Sequence, residues 1–324
     1  MLSSNQLSGT GTDGITASVR SVVGGIHPLA RQEITASKHV TQYTRETAEF
    51  FDLFNRVTGR SALYMGYFTG CLKPDEIPST NAPVAKKKIA VDFGCGTGWL
   101  TQRLPYFGYD EIHGIDSSTD MLRLAFAQTS EKAPKLIDEG TVRYSTKIPE
   151  HILGQCNLVT AVHVHYHFLP YEQLEKGFFG TLSSLLAPNG QVLLVGCPSD
   201  HVADTPDHYQ NCIHIKDVPE EVLKKATSPE LLQDDDGFIS LSCLPRFRLE
   251  DGTQMKVTFN ATDPSGKPHV ISLTDTFWRD ETLVRAAEHS GLKLVERSNL
   301  MWENKPNSYM VMHFKKSATP TLNA

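Results

Sequence analysis

Apolar and polar positions along this chain change rhythm several times, and each change predicts an element. Residues 88–93 carry the short apolar run Ile89, Ala90 and Val91, the pattern of a strand buried on both faces of a parallel sheet. Glycines follow at 94, 96 and 98, then a helix that Pro105 is expected to stop. A second strand is predicted over 111–116, followed by a helix with Met121, Leu122, Leu124 and Ala125 on its buried side. Further strands are expected at 142–145, 157–162 and 191–195. A helix over 171–186 places Leu174, Phe178, Leu182 and Leu185 at helical spacing, and Pro188, Asn189 and Gly190 form the turn after it. Near the end, 282–290 reads as a helix closed by Gly291, with strands at 294–295 and 309–314. Strands alternating with helices in this way predict an α/β fold on a mostly parallel sheet.

Two segments break the alternation. Residues 37–72 form an aromatic-rich helical segment in which Phe50, Phe51 and Phe54 share one face. Residues 198–277 are too long for a plain loop and should have structure of their own. Their first part, around 216–232, looks helical. In the second part, Asp251-Gly252 and Pro264-Ser265-Gly266 punctuate the alternating stretches 255–259 and 269–273, which predicts a piece of antiparallel sheet. Residues 1–36, rich in Ser, Thr and Gly, read as a flexible arm, 73–87 with three prolines as a connector, and 316–324 as a tail.

The chemistry concentrates after the first strand. Gly94, Gly96 and Gly98 allow a sharp turn and bring bare backbone against a ligand. Asp116 ends the second strand 22 residues after Gly94, placed to hold ribose hydroxyls. The pair describes a nucleoside-binding unit. A dinucleotide fingerprint G-x-G-x-x-G fails here, because its sixth position is Trp99. Asp92 at the mouth of the loop would repel a pyrophosphate and suits a cofactor carrying an ammonium and a sulfonium.

These residues resemble the class I S-adenosylmethionine (SAM) dependent methyltransferases. The motifs are Asp92-Phe93-Gly94-Cys95-Gly96-Thr97-Gly98, Asp116-Ser117-Ser118-Thr119-Asp120-Met121-Leu122, and the strand over 157–162. The resemblance covers 85–197 well and 276–315 more loosely. It implies a Rossmann-like sheet of seven strands with the last one antiparallel, an N-terminal helical lid over 37–84, and an α+β insertion over 198–277 that caps the substrate pocket. It also implies S-adenosyl-L-methionine as cofactor, held by Asp92, Gly94, Cys95, Gly96, Thr97, Gly98, Asp116, Ser117, Met121 and Val162, with Tyr43 from the lid. Met121 would lie against adenine, although core packing alone also accounts for it. The chain departs from the family at Ser145-Thr146-Lys147, where many members carry an acid for the adenine amine. Candidate acceptor contacts are Tyr64 and Tyr67 in the lid, and His208, Tyr209, Arg246 and Trp278 in or beside the insertion.

The fourth strand runs into His163-Val164-His165-Tyr166-His167, at the carboxyl end of the sheet where ligands sit in open α/β folds. A continued strand would put three imidazoles on one face and invite a metal. The family pattern instead starts a turn near Val162, which scatters them, so no metal site is assigned. His163 and then His167 are the candidate catalytic bases.

Composition narrows the partners. The net charge is −6, and no basic stripe suits a nucleic acid. Six scattered cysteines without a C-x-x-C pattern fit reduced thiols in a cytoplasmic protein. The first basic side chain is Arg20, which speaks against an Arg-rich transit peptide, and no apolar run is long enough to span a membrane. The expected activity is methyl transfer to an O, N or C nucleophile of a small organic molecule. A SAM-binding protein without methyl transfer, or a methyltransferase acting on protein or nucleic acid, are the alternatives. Oligomeric state is not legible.

Overall fold

The structure, a computed structural model, describes residues 43–72, 87–199, 209–226, 234, 236–302 and 305–317. The expected arm over 1–36, most of the proline connector, His208 and the end of the tail lie outside these residues. Strands β1 (Ile89–Phe93), β2 (Glu111–Ile115), β3 (Val142–Ser145), β4 (Cys156–Val162), β5 (Leu186–Gly196), β10 (Leu292–Trp302) and β11 (Lys305–Lys316) form one sheet. Its order is β10-β11-β5-β4-β1-β2-β3. All neighbours pair parallel except β11, which runs antiparallel to both β5 and β10. The sheet is therefore the expected seven-stranded α/β sheet.

Alternation along each strand divides the core in two. Ala90, Leu158, Leu193 and Val311 face the cluster that contains the N-terminal helices. Val91, Val159, Leu194 and Met312 face the cluster on the other side. Helices α1 (Arg45–Thr58) and α2 (Arg60–Cys71) cover the first face. Thr44 caps α1, and Gly59 at φ 70° both ends α1 and precedes α2. Helix α3 (Thr119–Lys132), capped by Ser118, and the short α4 (Pro134–Asp138) follow β2. Among the described residues, no helix is long and apolar enough to cross a membrane.

Several boundaries differ from the sequence reading. Pro105 does not stop the segment after β1. It sits inside a 3-10 helix, Thr101–Phe107, which ends at Gly108 with φ 81°. Proline fixes a φ suited to helical turns, and the positive φ of Gly108 provides the stop. The helix expected over 171–186 is a π-helical turn, Gln173–Phe179, continued by α5 (Gly180–Leu185). Strand β5 begins at Leu186, and its pairing with β4 is irregular between Cys156 and Leu158. Gly190 fits there because a Cβ would stand 2.5 Å from the Cys156 carbonyl oxygen.

The insertion builds a second sheet. Strands β6 (Tyr209–His214), β7 (Phe238–Ser240), β8 (Gln254–Thr262) and β9 (Pro268–Thr276) are antiparallel in the order β7-β6-β8-β9. Of the helical expectation around 216–232, residues 227–233 lie outside the described residues, and the rest holds a 3-10 turn, Ile215–Asp217, and one helical turn, α6 (Glu220–Leu223). Phe259 of β8 packs edge-on against Phe51 and Phe54 of α1, with centroids 5.2 and 5.6 Å apart. The insertion ends where α7 (Asp280–His289) begins. There Ser199 N donates to Asp280 Oδ1 at 3.0 Å, and Asp280 N donates to Ser199 Oγ at 3.2 Å. The chain thus leaves the main sheet and rejoins it at one reciprocal pair of hydrogen bonds.

Candidate active site

The glycine loop is tied down on its β2 side and open on another. Gly94 N and Cys95 N both donate to the Ile115 carbonyl, at 2.7 and 3.0 Å. Gly96 N donates to Asp116 Oδ2 and Ser118 N to Asp116 Oδ1, each at 2.9 Å. Gly94, Gly96 and Gly98 all have positive φ. A Cβ on Gly98 would meet the Tyr144 hydroxyl at 2.6 Å, whereas one on Gly96 would meet nothing within 4 Å. The open side of Gly96, beside a carboxylate with acceptor capacity to spare, fits an adenosyl cofactor and its ribose.

Asp92 lies behind this loop. Its carboxylate accepts from Thr101 Oγ1 at 2.7 Å and Thr160 Oγ1 at 2.9 Å, both fully buried residues. Burial raises its pKa to about 6, and the two hydroxyl bonds hold it from rising further. The acid is turned into the protein, so its influence on a ligand at the loop mouth passes through Thr101 or water. Cys95, Thr97 and Met121 are buried around the loop, Ser117 is exposed, and Val162 is half-buried at the end of β4. Burial pushes the Cys95 thiol well up, so it is a neutral filler.

Strand β4 stops at Val162, and the next residue takes φ 57°, the one non-glycine positive φ among the described residues. A histidine held in this region is strained by about 1–3 kcal/mol and persists where its surroundings fix it. Here they do. His163 N donates to Val195 O at 2.9 Å, and His163 Nε2 bonds the Tyr64 hydroxyl at 2.6 Å. The following 3-10 turn points the other rings elsewhere. His165 is buried against Gly196 and Tyr166, with burial lowering its pKa to about 3. His167 Nε2 bonds the Tyr43 hydroxyl at 2.9 Å, and its Nδ1 lies 3.8 Å from Asp275 Oδ1. The three imidazoles therefore serve three different partners. Burial, then the nearby Arg60 charge, holds His163 well below its ordinary pKa and neutral.

A cavity opens beside this turn, walled by the N-terminal helices and the inserted sheet. Tyr43, Phe51 and Arg60 line it from the N-terminal side, and His163 and Tyr166 from the turn. Asn211, Met255, Phe259 and Asp275 line it from the insertion. Tyr43 connects this cavity to the end of β2, because Ser118 Oγ donates to the Tyr43 carbonyl at 2.7 Å and Ser118 N donates to Asp116.

Of the acceptor candidates, His208 lies outside the described residues, and Tyr64, Tyr67, Arg246 and Trp278 are not among the described residues that line the cavity. Tyr64 is buried one layer behind, on His163, and Tyr67 is half-buried against Phe68. Tyr209 opens β6, paired with Phe259, and Arg246 is exposed. Trp278 is buried in the apolar cluster on the opposite sheet face, near Tyr171. The sequence reading missed Arg60, Asn211 and Asp275. Asp275 did carry a signal, since it shares the inward parity of Ile271 and Leu273 in an alternating strand.

The one group of side chains within metal-ligand reach among the described residues is Glu111, His113 and His151, at the far end of β2 from the loop. Glu111 already accepts from both histidines, and it pairs with Lys87 at 2.7 Å and Arg143 at 3.0 Å. Those two cations already balance the carboxylate that a divalent ion would need.

The chain matches a family model described as a methyltransferase domain over residues 74–297, more than half its length. It is 25% identical over 137 residues to the ribosomal protein L11 methyltransferase of Vibrio vulnificus (strain YJ016). That alignment covers 41% of this chain and 42% of the relative, so the chain spans about two fifths of the length of the curated relatives it matches. Its fold is similar to that of a S-adenosylmethionine-dependent methyltransferase from Clostridium acetobutylicum ATCC 824, with a TM-score of 0.50 and 13% identity. That likeness covers 83% of this chain and 98% of the other. The sheet order, the loop geometry and the family match agree: the chain belongs to the class I SAM-dependent methyltransferases, a family whose cofactor is S-adenosyl-L-methionine.

Proposed function

We propose that this protein transfers the methyl group of S-adenosyl-L-methionine to a small organic acceptor held in the cavity beside the 163–167 turn. The observation that carries the reading is the position of Tyr43, whose carbonyl accepts from Ser118, two residues after Asp116, while Tyr43 itself lines the cavity. Two compartments share one residue, as a transfer between two bound molecules requires. Gly94 to Gly98 and Asp116 hold the cofactor, and the N-terminal helices with the inserted sheet act as lid and cap over the acceptor.

Methyl transfer is an in-line displacement, and holding both reactants can supply about 7–11 kcal/mol. A general base adds about 3–5 kcal/mol. His163 is neutral and can accept a proton, but its Nε2 is engaged by Tyr64. His167 sits between a phenol and a carboxylate. His163 lines the cavity and can orient the acceptor directly, whereas His167 acts through the lining residues Tyr43 and Asp275. The shared segment with the ribosomal protein methyltransferase covers 41% of the chain. A largely apolar cavity favours a small acceptor over a protein surface.

The test is a thermal-shift titration with SAM and S-adenosylhomocysteine, with NAD as control. At about 100 times the dissociation constant, specific binding adds about 2.7 kcal/mol of stability. A shift with the adenosyl cofactors and none with NAD is the expected result, and a shift with NAD alone overturns the reading.

A further inference from the structure

The cavity lining carries both a cation, Arg60, and a carboxylate, Asp275. The Arg60 guanidinium lies 5.8 Å from the centre of the Tyr64 ring. Asp275 Oδ1 lies 3.8 Å from Nδ1 of His167 in the turn, whose Nε2 bonds the Tyr43 hydroxyl. Asp275 is 8% exposed, and its Oδ1 has no hydrogen-bond partner. The groups around it are Tyr43 from the lid, His167 and Tyr166 from the turn, and apolar Leu273 on its own strand. Burial moves its pKa up to about 7, and its ion-pair contact is a histidine, His167 Nδ1 at 3.8 Å, rather than a lysine or arginine. A buried carboxylate without a cation is costly, and it is retained where a ligand brings the charge. Phenyl and phenol faces from Phe51, Phe259 and Tyr43 line the same cavity, and such faces attract cations.

We infer that the methyl acceptor is a small amine, its nitrogen held at Asp275, and that Asp275 takes the proton the nitrogen must lose before it can be methylated. This rests on the methyltransferase reading above. An ammonium R–NH3+ meets the Asp275 carboxylate and gives it one proton, leaving the neutral amine and a carboxylic acid. The nitrogen lone pair then forms a bond to the methyl carbon as the carbon–sulfur bond breaks, and its electrons return to sulfur. The product is the N-methylated ammonium, and Asp275 releases its proton to water. A hydroxyl acceptor would give Asp275 a hydrogen bond but no compensating charge, and an anionic acceptor would be repelled.

The experiment uses the full chain and two matched trios of probes: phenethylamine, 2-phenylethanol and 3-phenylpropionate, and butylamine, butanol and butyrate. Each is titrated calorimetrically at pH 8, with and without S-adenosylhomocysteine. The expected result is binding of the amine at least tenfold tighter than of its neutral and anionic counterparts. D275N should abolish that preference while S-adenosylhomocysteine still binds with unchanged affinity, which also reports that the variant is folded. The absence of an amine preference in the unmodified protein overturns the inference, whatever D275N does, and so does an amine preference that survives in folded D275N. Failure of S-adenosylhomocysteine to bind overturns the methyltransferase reading instead, and the probe titration without it still reads Asp275.

Discussion

Tyr64 and His163 are joined across 99 residues by a 2.6 Å hydrogen bond between the phenolic oxygen and Nε2. Tyr64 is 1% exposed, and the histidine it meets has the left-handed backbone that ends β4. The bond fixes helix α2 to the carboxyl end of the central sheet. Removing the hydroxyl with Y64F leaves a buried imidazole nitrogen without its partner, which costs about 1–3 kcal/mol. The expected result is a melting temperature lower by several degrees, at about 2–4 °C per kcal/mol for large domains. Affinity for S-adenosylhomocysteine should change little, because the lost hydroxyl serves His163 while the ring that packs on Trp99, 5.8 Å away, is kept. Calorimetric melting and titration check both.

Asp116 organises the loop, since both of its oxygens accept backbone N–H groups, from Gly96 and Ser118. D116A should weaken S-adenosylhomocysteine binding at least tenfold, about 1.4 kcal/mol or more. Isothermal titration reads this directly, and an unchanged affinity would remove Asp116 from the cofactor site.

Gly96 and Gly98 should respond differently to the same substitution. Both have positive φ, so alanine costs about 1–2 kcal/mol of backbone strain at either. At Gly98 the new methyl also meets the Tyr144 hydroxyl at 2.6 Å and the Ala125 methyl at 2.9 Å, so G98A should be the less stable protein. At Gly96 the methyl projects into open space, so G96A should keep more stability and lose more cofactor affinity. Paired denaturation and titration of the two variants test the contrast.

Two buried acids set a pH dependence. Asp92 and Asp275 have folded-state pKa values of about 6 and about 7, above the ordinary 3.8. The folded state holds these protons more tightly than the unfolded chain. Their contribution to stability is therefore full below about pH 4 and is lost as the pH rises through 6 and 7. D275N cancels one share of that loss. It should exceed the unmodified protein in stability at pH 8, by up to about 4 kcal/mol, with the gap closing toward pH 4. Urea denaturation of both proteins at several pH values gives the difference, and a gap that widens on acidification would contradict the assignment.

The sheet was readable because its determinants are local. Ile89, Ala90 and Val91, or Val192 through Val195, are apolar runs that only a doubly covered strand requires, and the loop announces itself by glycine spacing. The 3-10 segment through Pro105 and the π turn at 173–179 were not, because their geometry follows from packing and end-capping rather than period. The cavity was least legible. Its walls come from α1, the 163–167 turn and the inserted sheet, and nothing local brings Phe51, His163 and Asp275 together. The inward parity of Asp275 could be read from β9, but not what it would face. Trp278 looked like a wall because it is a large aromatic beside the insertion, yet the parity of the chain into α7 buries it in the other cluster.

The clasp between Ser199 and Asp280 has a consequence for how the insertion is held. Everything the insertion contributes to the cavity enters and leaves the main sheet through that junction. Strands β6 to β9 lie between its two ends, and Asp251 adds a second tie by accepting from Arg279 N and Thr282 Oγ1 at the start of α7. The junction behaves as a socket: the two ends of the insertion are held side by side whatever lies between them.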